Sequence, residues 1–132
     1  MDNPHLWLRL DLANGHHIGP GKIALLEAIR AKGSISAAAR QLGMSYRRAW
    51  LMVEDVNEAL HKPAVTSAQG GSHGGGTTLT DIGEQIIQIY HSVEGLTLTS
   101  AHQELRAISL DLVAIDVKLP SIGPDTARRR YR

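Results

Sequence analysis

The sequence predicts a mainly α-helical chain with small β elements, and three observations carry that expectation. Several segments place apolar residues at helical spacing behind good capping residues: 22–31, 34–42, 45–60 and the stretch after Thr80. Leu6, Leu8, Leu10 and Leu12 alternate strictly with Trp7, Arg9 and Asp11, the period of a strand with one buried face. Two β-prone runs, 64–69 and 77–79, flank the glycine-rich stretch 70–76, which reads as a hairpin with a long tip.

In chain order, Asn14-Gly15 is a two-residue hairpin signal after the first strand, and residues 16–18 can form the return strand. Gly19-Pro20-Gly21 suits a helix start, and the first helix covers 22–31 with Lys32-Gly33 as its stop. Ser34 and Ser36 stand at the cap of a second, short helix that ends at Gly43, and Ser45 caps a third. Ala49, Val53, Val56 and Leu60 give that third helix an apolar stripe, with Pro63 closing it. Thr80 caps a fourth helix, with Asp81 and Glu84 favourably placed in its first turn. Its Ile82, Ile86, Ile89, Val93 and Leu96 form a coiled-coil-like seam, weakened by Gly95 and residues 97–99. Ser100 to Gln103 has capping-box spacing, so a further helix restarts there with Leu105 and Ile108.

At 132 residues the chain fits one folded unit, here 1–108, followed by a short extended segment and basic tail, 109–132. Two Trp, three Tyr and no Phe leave the packing to aliphatic side chains. The net charge of +1 decides nothing about partners, but the arginines are bunched at 47–48 and 128–132. The absence of Cys excludes disulfides and thiolate metal sites and fits a reducing cytoplasm. Neither a signal peptide nor a run of about 20 apolar residues is present, so a soluble, intracellular protein is expected.

The segment 35–54, ISAAARQLGMSYRRAWLMVE, has the spacing of a helix-turn-helix. Ala39 is small where the helices cross, and Gly43 can adopt the left-handed conformation of the turn. Leu42, Met44, Ala49 and Met52 are buried positions around it. Ser45, Tyr46, Arg47 and Arg48 then lie at the exposed start of the second helix, the end that enters the major groove in this motif. The glycine-rich hairpin that follows reads as a wing, with Ser72, His73 and Thr77 near phosphates. Together these predict a winged helix-turn-helix with dimerisation helices at its C-terminal side. The bland alternatives are a helical hairpin with solvated arginines, and a linker in place of the wing.

Other chemistry fits poorly. The stretch GSHGGGTT lacks the P-loop lysine, and GHHIGPGK lacks its first glycine and its Ser/Thr. No H-E-x-x-H spacing accompanies the seven His, so surface histidines are expected in place of a metal site, and no catalytic constellation is expected.

The run GPGKIALLEAIRAKGSISAAARQLGMSYRRAWLMVEDVN, the GG…GGG hairpin and then LTDIGEQIIQIY resemble the DNA-binding domain of the molybdate-dependent transcriptional regulator (ModE) family. The likeness covers about 6–105, and its GSIS portion also suits LysR-type regulators. The resemblance implies a homodimeric regulator that binds double-stranded DNA. Ser34, Ser36, Ser45, Tyr46, Arg47 and Arg48 would lie in the DNA-facing motif, 70–77 in the wing, and the helix after Thr80 with the first strand at the dimer interface. Family members add two molybdate-binding repeats with an S-A-R-N-Q-type motif. That motif does not occur here, so no cofactor and no molybdate binding by this chain are expected. A protein-interaction module with the same fold is the rival reading.

Overall fold

The computed structural model describes residues 6–67 and 76–108. The tip of the glycine-rich hairpin, with Ser72 and His73, and the extended segment and basic tail lie outside them.

The chain opens with a small antiparallel hairpin of β1 (Leu10–Asp11) and β2 (His17–Ile18), with Leu10 opposite Ile18. This is shorter than the strand expected over 6–12, because a two-residue partner can satisfy only two residues of ladder. The alternation still orders packing: Leu8, Leu10 and Leu12 all lean on the core. The turn is also longer than the Asn14-Gly15 signal suggests. Leu12 N–H donates to His16 O at 2.8 Å and Gly15 N–H to Leu12 O at 3.1 Å. These bonds close a loop of residues 13–15 with Gly15 at φ +89°, the three-residue hairpin with a bulge.

Helix α1 (Pro20–Lys32) starts two residues before the expected position, with Pro20 in its first turn. It is the centre of the molecule and touches α2 (Ile35–Gln41), α3 (Tyr46–Ala59), α4 (Asp81–Ser100) and β4 (Thr77–Leu79). Neighbours on several sides explain why Ile23, Leu25, Leu26, Ala28 and Ile29 are all buried, rather than one narrow stripe.

Strands β3 (Val65–Ser67) and β4 pair antiparallel, with Val65 opposite Leu79. Two backbone-directed contacts fix the base of this hairpin. Thr77 N–H donates to Gly33 O at 2.8 Å, joining β4 to the turn between α1 and α2. The Asn57 side chain of α3 accepts from Ala64 N–H at 2.8 Å and Val65 N–H at 3.1 Å, and donates to Val65 O at 3.2 Å.

Helix α4 runs unbroken for 20 residues, through Gly95 and the threonines that were expected to weaken it. Its inward face is Gly83, Ile87 and Tyr90, with the Tyr90 hydroxyl donating to Leu8 O at 2.7 Å. The seam read from the sequence lies beside that face. Ile82 and Ile86 are half-buried, while Ile89, Val93 and Leu96 are exposed. Helix α5 (His102–Ala107) follows, but Ser100 belongs to α4 and Ala101 is the cap residue, so the expected capping box does not form. None of α5 is buried.

His91 of α4 bridges two carboxylates, Glu27 of α1 at 2.7 Å and Glu94 at 3.2 Å. The hydrogen bond to Glu27, then that to Glu94, hold its pKa above the usual value against the opposing effect of burial. A raised folded pKa gives stability that is fully present below the unfolded value of about 6.5 and lost as pH rises through the folded one. The stability difference between the wild type and His91→Gln should therefore shrink as pH rises across that range, read from denaturant midpoints. Equal slopes for both proteins would remove the bridge from the account.

Candidate nucleic-acid interface

Local chemistry places the start of α3 on the surface. Ser34 Oγ accepts from Ala37 N–H at 3.0 Å and caps α2, while Ser45 Oγ accepts from Arg48 N–H at 3.1 Å and caps α3. Between the helices the chain reverses at Gly43, whose φ of +66° is the left-handed region a side chain disfavours. Met44 N–H donates to Ala39 O at 3.0 Å across the turn. Ala39 and Ala49 are buried where the helices meet, and Leu42, Met44 and Met52 pack partly against the core.

This leaves Ser45, Tyr46 and Arg47 exposed and Arg48 half-buried at the N-terminal end of α3. Ser36 is exposed on α2 nearby, whereas the hydroxyl of half-buried Ser34 is engaged by its cap. Thr77 sits at the hairpin base with a buried side chain, so it is not presented to a surface ligand. The sequence puts it in the glycine-rich hairpin, and the structure sets it on β4 opposite Ser67. The sequence pattern assigns no role to Trp50. It is 44% exposed, four residues after 55%-exposed Tyr46, so the two share one helix face.

Beside this surface is a cleft of about 430 Å³ lined by Lys22, Arg47, Arg48, Leu51, Met52 and Asp55, among others. Its floor is an ion pair that no local pattern reveals. The buried Lys22 ammonium donates to His17 O at 2.8 Å and to Asp55 Oδ2. His16 Nδ1 lies 2.9 Å from the other oxygen, Asp55 Oδ1. Burial pushes the Asp55 carboxyl up, but hydrogen bonds from Lys22 and His16 and their charges outweigh it, leaving the pKa below its usual value. His17 is shifted down by burial, then by the charges of Lys22 and Arg9. The arrangement can present cationic and hydrogen-bonding groups outward while neutralising the buried Lys22 ammonium inward. Among the described residues no helix is long and apolar enough to cross a membrane.

No family model matches the chain. It is similar to the molybdenum-pterin-binding protein MopB of Rhodobacter capsulatus, 49% identical over 61% of this chain and 30% of that protein. It is similar to the transcriptional regulator ModE of Yersinia pestis, 42% identical over 88% of this chain and 43% of the relative. The DNA-binding transcriptional dual regulator ModE of Escherichia coli is 39% identical over 63% of this chain and 32% of its own length. None of these names denotes an enzyme. The chain is thus homologous to bacterial ModE regulators and molybdenum-pterin-binding Mop proteins, and it spans about a third of their length.

Proposed function

We propose that the chain is a cytoplasmic transcriptional regulator without catalytic activity, which binds double-stranded DNA in a sequence-specific manner as a homodimer. In this reading residues 1–108 form a winged helix-turn-helix unit. The observation that carries it is the start of α3, where exposed Ser45, Tyr46 and Arg47 and half-buried Arg48 follow a glycine-centred turn. Homology to transcriptional regulators supports it. Arginine can grip the O6/N7 edge of guanine with two hydrogen bonds, and α3 offers that residue type at the end that enters the groove. The hairpin base is pinned to the turn after α1 and to α3, which in this reading anchors a wing to the body. Molybdate has no part in this reading of the chain.

Arg47→Ala and Arg48→Ala should each weaken binding to a selected operator by about 1–3 kcal/mol with the fold intact. If either arginine grips phosphate instead of base, all sequences weaken alike and the salt slope falls by about 1. Unchanged affinity in both variants on a defined operator would end the assignment. A protein-interaction module would bind duplex DNA with no preference for any selected sequence.

The exposed part of α4 supports the dimer. Ile89 is 53% and Leu96 68% exposed, with Val93 between them on the same face, an apolar strip that a monomer would leave in water. Because Ile89 is exposed, Ile89→Glu should leave each chain folded but shift light-scattering mass from dimer to monomer and weaken operator binding. A wild-type monomer at micromolar concentration removes the homodimer.

A further inference from the structure

We propose that His16, Asp55 and Glu58 form a binding site for a first-row divalent cation of the zinc class, joining the β1–β2 loop to α3. The spacing of these residues in the chain forms no metal motif, and only the fold brings them together. One ligand atom from each lies within 4.8 Å of the others, on a half-buried His, a half-buried Asp and an exposed Glu.

The geometry is that of a prepared site. His16 Nδ1 and Asp55 Oδ1 stand 2.9 Å apart. Two ligands each about 2.1 Å from one ion sit about 3 Å apart in octahedral and about 3.4 Å in tetrahedral arrangement. The first two ligands therefore need little displacement to share a cation. Asp55 and Glu58 are three apart on α3, so they rise from one helix face. The loop that carries His16 is tied down independently. Asn14 Nδ2 donates to Ala59 O at 3.1 Å at the end of α3, Asn14 Oδ1 accepts from His16 N–H at 3.1 Å, and His16 O accepts from Leu12 N–H at 2.8 Å.

Charge and donor type select the occupant. Lys22 occupies Asp55 Oδ2 and leaves Oδ1 directed at His16, so the cluster retains one net negative charge when Glu58 is ionised. An imidazole nitrogen with two carboxylate oxygens suits zinc, nickel or cobalt better than magnesium, which prefers oxygen alone. Three protein ligands leave the remaining coordination positions to water or another ligand, an open site rather than a closed structural one.

The test is titration of the full chain with Zn²⁺, and with Co²⁺ followed by its visible absorption, in the presence of millimolar Mg²⁺. One equivalent should bind, raising the melting temperature. His16→Gln and Glu58→Gln should each weaken binding by at least about tenfold, the lower end of what even outer-shell substitutions cost. His102→Gln, on an exposed residue of α5, should bind as the wild type does. Binding that survives both cluster substitutions overturns the proposal, as does no binding at micromolar metal. Glu58 is exposed, so Glu58→Gln decides the matter even if His16→Gln perturbs folding.

Discussion

Asp55→Ala is expected to destabilise the fold by about 3–5 kcal/mol, the cost of stranding one charge of a buried pair. The pair is asymmetric: the Lys22 side chain is 5% exposed and that of Asp55 37%. Removing the carboxylate leaves an ammonium with only the His17 carbonyl and almost no water to solvate it. Lys22→Met should cost distinctly less, because the Asp55 carboxylate left behind is partly hydrated and keeps His16 beside it. The double variant Lys22→Met, Asp55→Leu should recover most of the loss, since an apolar replacement of similar volume is often neutral. Chemical denaturation of the three variants measures this. Equal costs for the two single changes would show that burial of Lys22 does not govern the energetics. The low pKa of Asp55 adds a pH signature: its contribution is present above the unfolded value of about 3.9 and lost as pH falls through the folded one.

Gly83→Ala should be the next most damaging single change, although alanine is the better helix former by about 1 kcal/mol. A Cβ at Gly83 would overlap the Ala64 carbonyl oxygen and lie 3.2 Å from the carbonyl carbon and 3.3 Å from Leu79 Cβ. The obstacle is backbone, and it is held in place. Ala64 O accepts from Thr80 N–H at 2.9 Å, and Thr80 Oγ1 donates to Pro63 O at 2.7 Å while accepting from Gly83 N–H at 3.1 Å. Relief requires α4 to lift from the hairpin base, an overpacking cost of about 1–3 kcal/mol and occasionally more. A net loss of about 2 kcal/mol in denaturation is expected, whereas Gly95→Ala, in open space on the same helix, should stabilise. A gain at both positions would mean that the close approach is not a constraint.

Features encoded locally were legible in the sequence. Ser34, Ser45 and Thr80 act as caps because a hydroxyl needs only the amide three residues ahead, and Gly43 marks its turn by the same local logic. The exposed basic start of α3 followed from those ends. What escaped depends on partners distant in the chain. Lys22 and Asp55 are brought together by the packing of α1 on α3, and Asn57 serves a hairpin whose strands come later. On α4 two apolar faces compete. The seam through Ile89 has the more regular spacing in the sequence, yet the core takes Gly83, Ile87 and Tyr90. Periodicity finds an apolar face but does not say which neighbour covers it. The Ser100 capping box failed because α4 is already helical at that residue.

The central position of α1 has a consequence for how the molecule breathes. Its buried stretch from Ile23 to Ile29 packs against α2, α3, α4 and β4, so the amides there are expected to exchange with solvent only when the whole unit opens. The last turns of α4 and all of α5, where no residue is buried, can fray without disturbing it. Protection against exchange therefore grades from α1 outward. The last turns of α4, proposed to meet a second copy, hold no buried residue of their own, so association would add protection there that the single chain does not provide.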